Sequence, residues 1–181
     1  MKMQDTAVIV TGAASGLGAA TARAFAEAGA AVTILDRDAK QGQALADELG
    51  AGFAGVDVTD EASVRAGLEV ARGHMGRVNA LVNCAGIAFA IKTLGRDGPH
   101  PLDTFRRAVD VNLVGTFNCI RLASEMMAGN VPDDEGERGV IVNTASIAAF
   151  DWQKGQAAYA ASKAAVVGMA LPVARDLAQN G

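Results

Sequence analysis

Short β-branched runs alternate along this chain with longer, alanine-rich stretches whose apolar residues recur with a helical period. A strand–helix–strand order predicts parallel strands, because the helix carries the chain back across the sheet. We therefore predict an α/β fold with a doubly wound parallel sheet, helices on both faces and a single domain over residues 1–181. The predicted strands are residues 6–10, 31–35, 52–56, 80–83 and 139–144, and the predicted helices are residues 16–28, 38–49, 61–73, 104–127 and 157–179. Thr59, which is followed by two acidic residues, is the predicted N-cap of the third helix.

Two features bear on the extent of the domain. Doubly wound sheets commonly contain six strands in the order 3-2-1-4-5-6, and this sequence supplies five. The chain stops at Gly181, after a helix and where the next strand is expected, so we expect a C-terminally incomplete domain. Residues 87–103 and 128–138 are longer, polar connections, and we predict surface loops that are either functional or merely tolerated.

Charge and composition exclude several classes of partner. The net charge is -4 and the basic residues are scattered, which argues against nucleic-acid binding. The first predicted strand begins too close to the N-terminus for a secretion signal, and apolar runs such as residues 164–174 contain Gly or Pro and are too short to span a bilayer. We predict a cytoplasmic protein with no membrane partner.

The cysteines and histidines show no pattern of a metal site. Cys84 and Cys119 lie in apolar surroundings that are typical of inert buried thiols. His74 and His100 have no partners in the sequence that suggest a metal or a catalytic triad, and we predict that both lie at the surface. No metal ion is expected.

A glycine-rich turn follows the first predicted strand. Residues 11–18, TGAASGLG, open directly into a predicted helix. Glycine allows a tight turn and the close approach of a pyrophosphate, whose charge is stabilised by free N–H groups at a helix N-terminus. The spacing departs from the G-x-G-x-x-G pattern of Rossmann-type sheets, so an ordinary structural turn is the alternative. The predicted dinucleotide contacts in this turn are Gly12, Ser15, Gly16, Leu17 and Gly18.

An acidic residue at the end of the second strand predicts which dinucleotide binds. Asp36 lies about 20 residues beyond the glycines, where a carboxylate accepts hydrogen bonds from the adenosine ribose hydroxyls and repels a 2′-phosphate. This favours NAD over NADP. Two alternatives are open, because Arg37 provides a guanidinium for a 2′-phosphate and Asp36 could simply cap the next helix.

Two further segments end strands at the carboxyl edge of the sheet, where ligands of open α/β folds bind. Asp57 and Val58 follow the third strand, and Asn83, Ala85 and Gly86 follow or end the fourth. Their small side chains would let a planar ring lie close to the backbone. Either segment alone could be an ordinary turn.

The candidate catalytic groups follow the fifth strand. Ser146 comes first, and Tyr159 and Lys163 are four residues apart on the next predicted helix, which places them on one helical face. Reduction of a ketone by hydride requires a proton donor, and a nearby ammonium lowers the pKa of a phenol toward neutrality. A Tyr and a Lys at this spacing also arise by chance, but Tyr159 is the single tyrosine in the chain.

Asn112 has two interpretations. It lies in an apolar helical stretch, where a core amide is expected to be satisfied by neighbouring backbone groups. Alternatively, it marks a bend in the helix whose free carbonyl holds a water beside Lys163.

Taken together, the glycine turn of residues 11–18, the NCAG run of residues 83–86 and the YxxxK run of residues 159–163 resemble the short-chain dehydrogenase/reductase family over the whole chain. The resemblance implies that Tyr159 is the general acid/base, that Ser146 orients the substrate oxygen, and that Lys163 binds the nicotinamide ribose and lowers the pKa of the tyrosine. It also implies that Asn112 maintains a proton-relay water.

The same match assigns the cofactor contacts. Gly12, Gly16 and Gly18 would hold the pyrophosphate of NAD, and Asp36 the adenosine ribose. Asp57 and Val58 would contact the adenine ring.

Residues 83–88, 110–118, 138–146 and 155–159 are most similar to members that oxidise a 3-hydroxyacyl-CoA with NAD. The resemblance therefore implies a small-molecule acyl-CoA or other hydroxyl or ketone substrate, and assembly as a homotetramer. A hydroxysteroid dehydrogenase and an acyl-carrier-protein ketoreductase are the alternatives within the family, and a non-catalytic NAD-binding scaffold is the alternative outside it. Members of the family continue with a further strand and a substrate-covering lid, so we expect weak turnover from residues 1–181 alone.

Overall fold

The computed structural model describes residues 2–181. The strands are β1 (Ala7–Thr11), β2 (Ala31–Asp36), β3 (Gly52–Gly55), β4 (Ala80–Asn83), β5 (Leu94–Gly95), β6 (Gly98–Pro99) and β7 (Val140–Asn143). The helices are α1 (Gly16–Glu27), α2 (Ala39–Leu49), α3 (Glu61–Met75), α4 (Leu102–Val109), α5 (Thr116–Met127) and α6 (Ala157–Leu177).

The central sheet is parallel throughout and has the order β3-β2-β1-β4-β7. β1 lies in the middle, with Val8 opposite Val32 of β2 on one side and Ala80 of β4 on the other. The chain reverses its direction of winding between β3 and β4, so the carboxyl ends of β1 and β4 open a crevice at that point. The predicted α/β fold of the Rossmann type is confirmed.

Two hydrophobic layers cover the two faces of the sheet. Along β1, Val8 and Val10 belong to one layer and Ile9 to the other, because successive side chains of a strand point to opposite faces. The first layer includes Ala22 of α1 and Leu45 of α2, and the second includes side chains of α3 and α5. Burial on both faces explains why the inner strands β1, β2 and β4 are rich in Val, Ile and Leu.

Three local predictions were wrong. The predicted helix of residues 104–127 is interrupted, because Asp110–Gly115 forms a wider π-helical turn between α4 and α5. The connection after β4 contains the small β5–β6 hairpin.

Thr59 was the predicted N-cap of α3, but Asp60 caps that helix by accepting from the Ser63 backbone N–H. The Thr59 hydroxyl donates instead to a carboxylate oxygen of Asp57 and does not cap the helix.

The length of α6 contradicts the prediction that no apolar segment is long enough to span a bilayer. Residues 157–180 form a 24-residue helical stretch that contains an 18-residue window with a mean hydropathy of 1.4, which suffices by length and composition alone. Its buried residues include Ser162 and Lys163, and Lys163 bonds to the end of β7. α6 packs against α4, the π-helical turn and the short 3₁₀ turn that follows Ser146.

Candidate active site

A cavity of about 470 Å³ opens at the carboxyl ends of the central strands. Every residue predicted to contact the cofactor lines it, except Asn83, Tyr159 and Lys163. Arg37, Arg107 and Val111 also line this cavity. The sequence therefore brings the glycine turn and the ends of β2, β3 and β4 to one place.

Two glycines of the turn are packed too closely for a side chain. Gly12 has φ +65°, and a Cβ there would lie 2.6 Å from the Ala85 backbone. A Cβ on Gly18 would lie 2.2 Å from the Gly12 carbonyl oxygen. Ser15 precedes α1 without capping it through its side chain, so the first N–H groups of the helix are available to an anion. This geometry fits a dinucleotide pyrophosphate.

Asp36 is held by the glycine turn. One of its carboxylate oxygens accepts from the Ala14 N–H at 2.9 Å, and the other accepts from the Asp38 N–H at 2.9 Å. The cap of α2 is Asp38, which accepts from Gln41. Asp36 is therefore not the helix cap, and its carboxylate lines the cavity with lone pairs available to a hydroxyl donor.

Arg37 forms an ion pair with Asp57. The guanidinium and the carboxylate lie 3.8 Å apart, and both side chains are exposed. Hydrogen bonds from the Thr59 hydroxyl and N–H, together with the charges of Arg37 and Arg107, hold the pKa of Asp57 below its usual range. The carboxylate of Asp57 therefore competes with any other anion for Arg37.

The end of β4 meets β1 through a residue that carried no predicted role. Thr11 is buried, and its hydroxyl oxygen accepts from the N–H groups of Cys84 and Ala85, each at 3.2 Å. Gly86 lies near the catalytic end, since a Cβ there would be 3.2 Å from Asn112 Oδ1 and 3.8 Å from Lys163 Nζ. Ala85 and Gly86 thus line the crevice between the glycine turn and the catalytic residues.

Asn83 lies behind the cavity rather than in its wall. Its side chain is buried, and Nδ2 donates to Asn143 Oδ1 at 2.9 Å, which ties the ends of β4 and β7 together. A direct contact with the cofactor stays a prediction for this residue.

Ser146 begins a short 3₁₀ turn that packs against α6. Its Oγ accepts from the Ala148 N–H at 3.1 Å, which fixes the oxygen and leaves the hydroxyl proton free to be donated. The predicted orientation of a substrate oxygen requires this donor.

Lys163 is buried on α6, four residues after the half-buried Tyr159. Its Nζ donates to the Thr144 carbonyl at 2.7 Å and lies 5.9 Å from the centre of the Tyr159 ring. Burial lowers the pKa of Lys163 from its usual value. The predicted Tyr–Lys pair is therefore close in space, and the positive charge lies beside the phenol.

Asn112 satisfies features of both interpretations. Its buried side chain accepts from the Ile87 N–H, and it donates to the Ile87 carbonyl and to Ser162 Oγ. It also lies in the π-helical turn between α4 and α5. The Thr116 hydroxyl donates to its carbonyl at 2.8 Å, so one lone pair remains for the predicted relay water.

Sequence reasoning missed two supporting residues. Thr144 provides the carbonyl that holds Lys163, and Ser162 links Asn112 to the turn of α6 that bears Tyr159, by donating to the Tyr159 carbonyl. Backbone carbonyls have no signature in a sequence. Ser162 lies one residue before Lys163, and its polar side chain within an apolar helix was the available signal.

Within residues 2–181, no group of three or more His, Cys, Asp or Glu side chains is placed to hold a metal ion. His74 is exposed, while His100 is half-buried beside the Phe105 ring.

A family model described as short chain dehydrogenase matches residues 6–181. The chain belongs to the short-chain dehydrogenase family. This dehydrogenase is 51% identical to the 3-hydroxyacyl-CoA dehydrogenase type-2 of Drosophila melanogaster, over 99% of the chain and 72% of that relative. It is 53% identical to the Homo sapiens protein of the same name, over 96% of the chain and 68% of that relative.

A crystal structure of 3-hydroxyacyl-CoA dehydrogenase type-2 from Mycobacterium avium superposes with a TM-score of 0.91 at 43% identity. It covers 96% of this dehydrogenase and 70% of the relative. The chain is therefore an oxidoreductase, and its family implies a nicotinamide cofactor.

Proposed function

We propose that this dehydrogenase oxidises a 3-hydroxyacyl-CoA to the 3-ketoacyl-CoA with NAD. The observation that carries the proposal is the arrangement of Tyr159 beside Lys163, next to a crevice lined by Asp36. The relatives named 3-hydroxyacyl-CoA dehydrogenase type-2, at about half identity, support the choice of substrate.

The protein's own residues move the proton. A nicotinamide cofactor, held by the glycine turn and Asp36, would supply the hydride acceptor for the oxidation. The Tyr159 oxygen takes the proton of the substrate hydroxyl, and the buried Lys163 ammonium favours negative charge on that oxygen. The Ser146 hydroxyl, whose oxygen is fixed by Ala148, donates to the substrate oxygen and orients it.

Two residues support NAD over NADP. The Asp36 carboxylate lies in the cavity wall and would repel a 2′-phosphate, while its lone pairs suit ribose hydroxyls. Arg37, the residue that could bind a 2′-phosphate, is drawn to Asp57. A phosphate would therefore compete with one carboxylate while facing another.

The test is reduction of acetoacetyl-CoA by the purified protein, followed by the loss of NADH absorbance and repeated with NADPH. We expect turnover with NADH to exceed that with NADPH clearly. Turnover with NADPH alone would contradict the choice of NAD. Turnover of a hydroxysteroid but not of an acyl-CoA would contradict the substrate.

A Tyr159→Phe variant tests the chemical role. The substitution keeps the aromatic ring and removes the hydroxyl, so we expect a fall in kcat of about 100-fold or more while NADH binding persists. Unchanged turnover in this variant would contradict the role of Tyr159 as general acid/base.

A further inference from the structure

The wall of the cavity at Val58 is held by a residue outside it. Asn118 lies on α5 and is buried, and its Nδ2 donates to the Val58 carbonyl at 2.9 Å. Asp57 and Val58 line the cavity and are the predicted adenine contacts, so a role for Asn118 in cofactor binding rests on the proposed function.

The orientation of the Asn118 amide is fixed by a charge. Its Oδ1 accepts from the Arg121 guanidinium at 2.8 Å, and the same guanidinium nitrogen lies 2.6 Å from a carboxylate oxygen of Glu61. Because Oδ1 faces a donor, Nδ2 must face the Val58 carbonyl. Glu61 begins α3 three residues after Val58, so the same network holds both ends of this short segment.

A second contact from the same helical stretch restrains the Val58 side chain. Gly115 lies at the end of the π-helical turn, three residues before Asn118, and a Cβ there would lie 2.5 Å from Val58 Cγ2. The side chain of Val58 therefore rests directly on the backbone of the turn. The Val58 carbonyl accepts its hydrogen bond from Asn118, which lies about one helical turn after Gly115.

We infer that Asn118 is a positioning residue for the cofactor. It holds the Val58 backbone in place and thereby shapes the adenosine end of the cavity. It lies outside the wall of the cavity, so its loss weakens adenosine binding and leaves the chemical step intact.

The Asn118→Asp variant tests this with little change in size. Aspartate keeps an acceptor for Arg121 but places an oxygen against the Val58 carbonyl in place of a donor. We expect the Kd for ADP-ribose to rise roughly tenfold, since a buried carbonyl loses its partner and meets a like dipole. The Kd for nicotinamide mononucleotide should be unchanged. In turnover, KM for NADH should rise while kcat stays within about twofold.

The matched control is Asn130→Asp. Asn130 Nδ2 donates to the carbonyls of Val78 and Arg138, at the opposite end of the sheet. The same change there should lower stability and leave ADP-ribose binding as in the unmodified protein. If Asn118→Asp does not fold, Asn118→Ala, which removes the donor without adding a charge, is measured in the same way, with thermal unfolding as a check.

The outcomes separate the two proposals. If the unmodified protein and Asn118→Asp bind ADP-ribose equally, the role of Asn118 is contradicted and the proposed function is not. Equal losses for ADP-ribose and nicotinamide mononucleotide also contradict it, because they indicate general damage. If the unmodified protein binds no ADP-ribose, both the proposed function and this inference are wrong.

Discussion

Lys163 is a buried cation whose hydrogen bond in the structure is to a backbone carbonyl, that of Thr144. Removing an ammonium from water opposes folding, and burial accordingly lowers the pKa of this group. Such a residue reduces stability where it stands, so its presence indicates a requirement of the chemistry rather than of the fold.

The first prediction concerns how the free-energy cost of burying the Lys163 ammonium depends on pH. The unfolded chain binds a proton at Lys163 up to the ordinary value of 10.5, and the folded chain releases it at a lower pH. The penalty is therefore complete below the folded-state pKa and is relieved as pH rises through it toward 10.5. A Lys163→Met variant has no ammonium to bury and therefore lacks this pH-dependent penalty. In urea unfolding, the stability of the unmodified protein relative to the variant should rise as the pH approaches 10.5 from below. A constant difference would contradict the burial of the ammonium.

The second prediction concerns the thiols. Burial raises the pKa of Cys119 to about 12 and raises the pKa of Cys84, although Lys163 acts in the opposite direction on Cys84. Neither thiol should react appreciably with iodoacetamide at about pH 8 in the folded protein, and both should react in denaturant. Mass spectrometry of the alkylated peptides provides the measurement. Fast modification of folded Cys119 would show that its environment is open to solvent.

At the scale of an element, α3 shows why two glycines of one helix differ. A Cβ on Gly67 would lie 2.5 Å from Val56 Cγ2 and 3.2 Å from Leu35 Cδ2, so α3 sits on the sheet at a distance that only glycine allows. A Cβ on Gly73, in the same helix, would meet open space.

This contrast gives the third prediction. Gly67→Ala should lower the free energy of unfolding by about 1–3 kcal/mol through overpacking. Gly73→Ala should raise it by about 0.5–1 kcal/mol, because alanine favours the helix and adds no clash. Urea unfolding of the two variants measures both. Stabilisation by Gly67→Ala would place α3 further from the sheet than the structure does.

The elements were predictable to the extent that their signals are local. The hydrophobic runs of β1, β2 and β4 located the centre of the sheet, because buried parallel strands are continuously apolar. The π-helical turn was not predictable, since the periodicity of residues 104–127 continues through it, and the turn depends on Asn112 bonding to Ile87 in a distant segment. Asp60 displaced Thr59 as the cap for a similar reason, because Thr59 is bound to Asp57.

The positions of candidate site residues were predictable where a residue type has a steric or charge requirement. Gly12, Gly18 and Asp36 lie where the pattern indicated, around one cavity. Asn83 was predicted to contact the cofactor, and in the structure its side chain bonds to Asn143 and does not line the cavity. A sequence shows that a residue stands at the end of a strand but not which way its side chain points.

For the whole molecule, the cavity lies between α1 and the ends of β1, β2 and β4, so a ligand there joins parts of the chain that are far apart in sequence. A ligand that binds the folded state alone raises the stability of the entire domain. NADH at about 100 times its Kd should add about 2.7 kcal/mol, seen as a rise in Tm, and NADPH should add less. Equal shifts with the two cofactors would contradict the role proposed for Asp36.

Assembly as a homotetramer stays a prediction from the family resemblance. Size-exclusion chromatography with light scattering tests it directly. A monomer at micromolar concentration would contradict it.

The π-helical turn also limits how this enzyme could be changed. One short stretch of helix carries Asn112 at the proton-transfer end of the crevice, and Gly115 and Asn118 against Val58 at the adenosine end. Mutations that loosen the turn to alter proton transfer should therefore also disturb adenosine binding, and the reverse also holds. Cofactor preference is better re-engineered from the opposite wall, at Asp36 and Arg37, where the helix is not involved.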